Sequence, residues 1–171
     1  MTLNSLHDVF VEQLGDLYSA ERQLVQTLPS VASAATAPEL REAIEQHLEE
    51  THRHVTRLEQ VFTELGEPYP TTKTCEGMQG ILAEGEHVLN ATGIGSAKDA
   101  GIIAAAQRAE HYEIAGYGTA KAMAKELDMS STVEDLLATT LGEESNADQT
   151  LTKIATGGLF RSGVNESALT S

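Results

Sequence analysis

The residues of this 171-residue chain that could do chemistry are carboxylates at positions where helices would bury them. Glu21 lies four residues after Leu17 and three before Leu24, so a helix puts these three side chains on one face. The same spacing argument applies to three further helices. Together the four helices carry six acidic residues on or beside core-facing positions: Glu21, Glu50, Glu110, Glu113, Glu144 and Asp148.

Buried acids of this kind need a compensating cation. An ionised carboxylate in an apolar interior is strongly destabilising unless it is paired or takes up a proton. Two divalent ions would leave a net charge of minus two on six carboxylates, and two trivalent ions would leave none. Carboxylate oxygens with one or two imidazoles favour iron or manganese over zinc. The arginines near these acids fall off the apolar faces and cannot replace a metal: Arg22, Arg53, Arg57 and Arg108.

Histidines on the second predicted helix can supply nitrogen ligands. His54 lies one turn after Glu50, so these two residues form the best-phased metal pair on that helix, and His54 is predicted to be a ligand. His47 falls between Ile44 and Thr51 on the apolar face, which fits a ligand and a supporting group behind the ligands equally well. Three neighbours rotate off the apolar faces and are predicted to be solvated: Glu49, His52 and Glu143.

Helices are the only elements of length that the sequence predicts. Apolar residues recur at steps of three, four and seven in residues 5–28, 36–65, 75–91, 99–127 and from 131 onward. Four long helices with a short one between the second and third predict an all-α four-helix bundle. The short helix lies in a long crossover between helices two and three.

Polar residues and glycine mark the predicted helix ends. Gly66 ends the second helix, and the residues after 158 predict a frayed, polar tail. We expect residues 1–171 to form a single domain whose core spans about 5–156. The predicted capping residues, with their partners three positions on, are Ser5 with Asp8, Thr36 with Glu39 and Ser131 with Glu134.

Composition excludes several classes of partner. Lys and Arg total 11 against 26 Asp and Glu, and the resulting net charge of −15 argues against nucleic acid and anionic membranes. The longest apolar run, 102–106, is far shorter than the roughly 20 residues of a membrane span, and the chain begins without the features of a signal peptide. The lone Cys75 fits a reducing compartment. We therefore expect a soluble, cytoplasmic protein.

Four segments resemble the YciE/YciF group of bacterial ferritin-like proteins. AEHYEIAGYGT is the most specific string, and the resemblance spans about residues 5–156. The segments are DLYSAERQLVQTLP (16–29), HLEETHRHVTRLEQVF (47–62), AAAQRAEHYEIAGYGT (104–119) and LLATTLGEESNADQTLTKIA (136–155).

This resemblance implies a ferritin-like metal-binding bundle that is often dimeric and is associated with stress responses, without an established reaction. Helix four carries Ala147 and Asp148 where the wider ferritin-like pattern has a histidine, which makes the site poorer in nitrogen. The metal positions carried over are Glu21, Glu50, Glu110, Glu113 and Glu144, with His54 and Asp148 as the second residues on their helices.

Three functions are consistent with these features. The first is a di-iron or di-manganese centre that reacts with O₂ or peroxide. The second is a metal-binding or structural bundle without redox turnover, in which the ions mainly compensate the buried acids. The third is an interaction bundle with no metal, in which the acids share protons. Metal content separates the third from the others, and peroxide consumption separates the first from the second.

A homodimer is the expected assembly. The predicted outer faces carry runs of acidic residues, and a net charge of −15 opposes the dense packing of a many-subunit cage. Sedimentation should give a dimer, and a particle of a dozen or more subunits would contradict this expectation.

Overall fold

Long helices make up most of the computed structural model, which describes residues 3–93, 95–158 and 161–169. This confirms the predicted all-α class. The helices are α1 (Leu6–Ala34), α2 (Pro38–Leu65), α3 (Glu76–Leu89), α4 (Gly95–Glu126), α5 (Ser131–Thr156) and α6 (Val164–Leu169), and the two-residue strands β1 (Gly157–Gly158) and β2 (Arg161–Ser162) pair antiparallel.

Two apolar clusters fill the two ends of the bundle. The first contains Leu24 and Leu28 of α1 with Ile44 of α2, and the second contains Phe10 of α1 and Phe62 of α2. Both α4 and α5 also contribute to each cluster. Because α1 runs from the second cluster to the first and α2 runs back, the two helices are antiparallel. The middle of each long helix therefore lies between the two apolar clusters.

The connection from α2 to α4 crosses the length of the bundle. The helix α2 ends at the second cluster, and α4 begins at the first, so α2 and α4 point the same way. The short helix α3 lies in this connection and packs on α4 and α1, with Met78 buried in the first cluster. The predicted crossover with its extra helix is therefore confirmed.

The starts of α1 and α2 are stabilised in different ways. Ser5 and Asp8 form the predicted capping box of α1. Thr36 does not cap α2, because its backbone N–H and its hydroxyl both donate to the carboxylate of Asp99, at 2.8 and 2.5 Å. Ala37 is the N-cap residue instead. The start of α2 is thus held by a side chain from α4, which local spacing could not indicate.

The starts of α4 and α5 also differ from prediction. Gly95 opens α4, so Asp99 lies one turn inside the helix rather than at its start. The hydroxyl of Ser130 accepts a hydrogen bond from the amide of Val133 at 3.4 Å, so the predicted cap at Ser131 is wrong by one residue. The predicted stop of α2 at Gly66 is correct, since this glycine adopts a left-handed conformation with φ 68°.

The helix α1 is longer than predicted. It runs through Pro29 to Ala34, although proline removes one backbone hydrogen bond from a helix interior. Ala32 and Ala35 beyond it are almost fully buried in the first apolar cluster. This burial offsets the lost hydrogen bond and carries the helix past the proline.

The described part of the C-terminal segment is structured, so the prediction of a frayed tail is wrong for it. Gly157 pairs with Ser162, α6 packs on α4 and α5, and Val164 is buried. A Cβ atom on Gly163 would lie 2.3 Å from the carbonyl oxygen of Ala155, so the close turn requires glycine. Residues 159, 160, 170 and 171 of the predicted tail lie outside the described residues. No described helix is long and apolar enough to cross a membrane.

Candidate metal centre

The four long helices bring ionisable side chains together between the two apolar clusters. Helical spacing explains the set, because residues three or seven apart return to one face of a helix. All of these side chains belong to residues no more than 6% exposed: Glu21 on α1, His47 and His54 on α2, Glu110 and Glu113 on α4, and Glu144 on α5.

Two overlapping groups of these residues have the spacing of metal ligands. His47, Glu110, Glu113 and Glu144 each offer one ligand atom, and these four atoms all lie within 4.8 Å of one another. Glu21, His54 and Glu144 form a second group by the same measure. Glu144 belongs to both, so its carboxylate lies between two sites that each contain one imidazole.

The same six residues contain unpaired buried polar atoms. Nine buried nitrogen and oxygen atoms of the described side chains have no hydrogen-bond partner, and all nine belong to this cluster. They include both ring nitrogens of His47 and both carboxylate oxygens of Glu113 and Glu144. Buried polar atoms are rarely left unpaired, so such a concentration indicates a missing partner. Oxygen-rich donor groups of this kind fit a metal cation.

A charged pair behind His54 fixes its orientation. Arg57 donates to both oxygens of the Glu143 carboxylate, at 2.5 and 3.0 Å. Burial raises the pKa of Glu143, but the Arg57 contact outweighs it and the net pKa is lowered, so the carboxylate is an acceptor. Nε2 of His54 lies 2.8 Å from Glu143 and therefore donates to it.

The opposite nitrogen of His54 faces the cluster. Nδ1 lies 2.8 Å from Oε1 of Glu144 and 3.3 Å from Oε1 of Glu21, yet neither contact has hydrogen-bond geometry, because the oxygens lie off the direction of the ring N–H bond. Since Nε2 already carries a proton, an unprotonated Nδ1 directs its lone pair at carboxylate oxygens. A second proton on the ring, a protonated carboxyl group or a metal ion relieves this repulsion.

Burial raises the pKa of every carboxyl in the cluster, but the net shifts differ because their charged neighbours differ. It raises the pKa of Glu21 to about 7 and those of Glu110 and Glu113 well above their usual range, with nearby carboxylates adding to the shift. For Glu144, burial acts the same way, but the contacts with His54 and His47 outweigh it and lower its pKa. Without a metal, the centre therefore keeps several acids protonated around one ionised carboxylate.

The two histidines respond differently to the same centre. Burial lowers the pKa of His47. Burial also lowers that of His54, but the contacts with Glu144 and Glu21 outweigh it and raise its pKa to about 10. A metal would have to displace the proton from His54, whereas His47 already offers a neutral ring.

Comparison with known proteins settles the family. A family model described as a domain of unknown function, DUF892, matches residues 5–168. The chain belongs to the DUF892 family. It is 37% identical to Protein YciF of Escherichia coli strain K12 over 166 residues, which is 97% of this chain and 99% of YciF. The predicted YciE/YciF resemblance is therefore confirmed.

Solved structures of relatives share the DUF892 fold. The crystal structure of the E. coli stress protein YciF matches with a TM-score of 0.85 and 38% identity, over 88% of this chain and 94% of that chain. YcfI of Rhodopseudomonas palustris matches with a TM-score of 0.84 and 37% identity, over 89% of this chain and 96% of that chain. A Xanthomonas campestris protein shares the fold, with a TM-score of 0.68 and 22% identity over 86% of this chain and 88% of that chain. The ferritin-like bundle predicted for the chain is confirmed.

Five of the seven predicted ligands come together in this DUF892 chain, and two lie apart. Glu50 is partly exposed and accepts a hydrogen bond from Gln46 at 3.1 Å. It lines a cavity of about 140 Å³ that also contacts His47 and Glu110, so it lies at an opening to the centre. The five residues that the structure brings together are Glu21, His54, Glu110, Glu113 and Glu144.

Asp148 is the second predicted ligand outside the cluster. Its carboxylate accepts a hydrogen bond from Nε2 of Gln107 at 2.8 Å and lies 3.4 Å from Nε2 of His111. It follows Glu144 by one turn of α5, and the helix carries it past the centre toward α4. These neighbours engage Asp148 at the surface of the bundle, where its side chain is 19% exposed.

His47 joins the cluster more directly than the sequence could decide. Its Nε2 lies 3.3 Å from Glu110 and 3.9 Å from Glu144, and neither ring nitrogen has a hydrogen-bond partner. Of the two roles that its position allowed, the structure places it among the groups with ligand spacing. Its spacing of seven residues from His54 was the available signal, because two helical turns return to the same face.

The prediction that Glu143 is solvated is wrong. Its side chain is only 23% exposed and is held between His54 and Arg57. The phase of α5 does turn Glu143 away from the bundle axis, but α2 packs against that side of α5 and supplies both partners. Only the packing of two distant segments reveals this contact.

Breaking the Arg57–Glu143 pair should weaken metal binding without removing a ligand. Arg57→Gln leaves Glu143 without its cation and loosens the orientation of His54, so metal affinity should fall by about 10- to 100-fold. Arg53→Gln is the matched control, because its side chain is 51% exposed and it contacts Glu50 and the backbone carbonyl of Glu49 but neither His54 nor Glu143. Competition titration with a chromogenic chelator measures both variants. Equal affinities in the two variants would contradict a supporting role for Arg57.

Proposed function

We propose that this protein is a dinuclear metal-binding protein of the stress-associated ferritin-like type, holding two ions of iron or manganese. The observation that carries this proposal is the set of nine unpaired buried atoms, together with Nδ1 of His54 facing two carboxylates. Protons can neutralise part of this charge, but both oxygens of Glu113 have no hydrogen-bond partner among the described residues.

The residues that would hold the ions follow from the two groups. His47, Glu110 and Glu113 would hold one ion, and Glu21 and His54 the other, with Glu144 available to both. When bound there, iron or manganese ions would supply redox chemistry toward O₂ or peroxide. This redox reaction is the activity that we propose.

The other residues of the centre support that chemistry in specific ways. The hydroxyl of Tyr117 donates to Oε1 of Glu21 at 2.5 Å and holds this carboxylate from the side of the second apolar cluster. Arg57 and Glu143 keep the proton of His54 on Nε2, so Nδ1 is directed at the centre. The apolar clusters at both ends close the centre along the bundle axis.

A non-catalytic or structural role for the metal is the alternative. It is favoured by the position of the acids, which divide the core into two apolar clusters and repel one another when ionised. Metal binding would then add directly to folding free energy. Under this alternative the ions stabilise the bundle, and no redox turnover occurs.

Metal analysis followed by an activity assay tests the proposal. Elemental analysis of protein reconstituted with iron or manganese should give two ions per chain. Both loaded forms are then assayed for peroxide consumption and O₂ uptake against the chelator-treated protein. Two ions with turnover support the redox function, two ions without turnover support the structural alternative, and no bound metal contradicts both. The predicted homodimer and cytoplasmic location remain part of the proposal.

A further inference from the structure

A large cavity lies between α1, α3 and α4, and Glu110 is the only one of the proposed metal ligands among the described residues that line it. Its volume is about 740 Å³, within the range of roughly 300–1,000 Å³ typical of small-molecule sites. Aliphatic side chains from all three helices line it, among them Leu24, Leu82, Leu89 and Ile102. It is therefore large and apolar enough for an organic molecule, unlike the opening of about 140 Å³ beside Glu50.

The cavity ends at the metal centre. Glu110 lines it, is only 3% exposed, and has one carboxylate oxygen without a hydrogen-bond partner. Glu110 also lines the smaller opening, as do Leu28, Val31 and Ala106. The two spaces thus approach the same carboxylate from different sides of the bundle. The smaller one is suited to ions and small oxygen species, and the larger one to an organic molecule.

The charges of the cavity select its occupant. Of the described residues that line it, none is Lys, Arg or His, and the acidic ones are Glu86 and Glu110. An anionic head group would find no cation there and would meet two carboxylates. Side-chain amides of Gln26 and Gln79 also line the cavity and can bind an uncharged polar group, whereas the amide nitrogen of Gln23 already donates to Ser19 and Cys75.

We propose that this cavity binds a neutral, mainly apolar organic molecule, with one end against Glu110 beside the metal centre. The position of that end rests on the proposed function, whereas binding in the cavity does not. Such a molecule would reach the centre from the α1–α3–α4 side, apart from the opening beside Glu50.

Tryptophan variants on one helix separate the cavity from the surface next to it. Ala105 lines the cavity, whereas Ala104 is exposed and does not. Ala105→Trp should fill the space, and Ala104→Trp is the matched control. Ala83→Trp gives a second test from α3, because Ala83 lines the cavity but is exposed, so the larger side chain does not disturb the core.

Fluorescence titration with the neutral probe N-phenyl-1-naphthylamine measures binding in the full chain. We expect saturable binding to the unaltered protein and to Ala104→Trp, and a loss of about tenfold or more in affinity for Ala105→Trp. Ala83→Trp should also weaken binding. Equal affinity in all four proteins overturns the proposal. Sedimentation of the same samples identifies a second copy of the chain as occupant, and a dimer lost only in Ala105→Trp with unchanged probe binding also overturns it.

Proton NMR of decan-1-ol locates the bound end. In manganese-loaded protein, paramagnetic broadening should be much stronger at one terminus of the alcohol than at the other, and Ala105→Trp should abolish it. Equal broadening at both termini overturns the placement beside Glu110. If manganese does not bind, the proposed function and this placement fail together, while the fluorescence titration still decides whether the cavity binds an apolar molecule.

Discussion

Replacing Glu144 with Gln is expected to abolish binding of both metal ions. Glu144 is the one residue that belongs to both groups with ligand spacing, and an amide cannot supply the negative oxygen that hard cations require. Loss of a residue behind the ligands costs about 10- to 100-fold in affinity, so loss of a shared ligand should exceed about 100-fold. Elemental analysis and manganese EPR of the reconstituted variant measure the result.

Two further variants serve as controls for the Glu144→Gln measurement. Glu49→Gln makes the same change in charge on an exposed side chain of α2 and should retain two ions. Glu110→Gln removes a member of one group only and should retain the ion held by Glu21 and His54. If Glu144→Gln binds as much metal as Glu49→Gln, Glu144 is not a ligand shared by the two groups and this assignment is wrong.

The metal-free protein should become more stable as pH falls from 7.5 to 5. Burial raises the pKa of Glu21 to about 7, and those of Glu110 and Glu113 further, above an unfolded value of about 4.3. The native state therefore binds more protons than the unfolded chain. Its stability is fully present below the unfolded pKa and is lost as pH rises through the folded values. Each excess proton contributes about 1.4 kcal/mol per pH unit.

Other groups modify this slope without reversing it. His54, with a pKa of about 10, also loses its contribution as pH rises above its unfolded value of about 6.5. His47 acts in the opposite direction, because burial lowers its pKa and its contribution is lost as pH falls below about 6.5. Glu144 has a lowered pKa, so its contribution is lost only below about pH 4.3. The three carboxyls with raised pKa values therefore have a larger effect on the pH dependence of stability than His47 does.

Metal should reverse the trend. Bound ions need deprotonated ligands, so acid competes with the metal and the loaded protein loses stability as pH falls. Melting temperatures from pH 5 to 7.5, with chelator or with added manganese, should give two curves of opposite slope. The chelated protein should gain more than about 5 °C over this range. Coinciding curves would show that these acids are not buried together around a metal.

The sequence determined which helix faces are buried and that acids lie on them. Glu21, Glu110 and Glu144 each recur with apolar residues at helical spacing, and this periodicity follows from backbone geometry alone. The same regularity predicts the four long helices and the extra helix, because each depends on residues within a few turns of one another. Five of the seven predicted ligands accordingly meet in the structure.

The tertiary structure decided what lies beside each predicted residue. Asp99 holds the start of α2 from a position 63 residues away, and Glu143 reaches His54 across 89 residues. Asp148 shares α5 with Glu144, but its carboxylate accepts a hydrogen bond from Gln107 of α4. Helical periodicity specifies the direction of a side chain from its own axis. The identity of the group that it meets depends on the packing of other helices, which no spacing within one segment encodes.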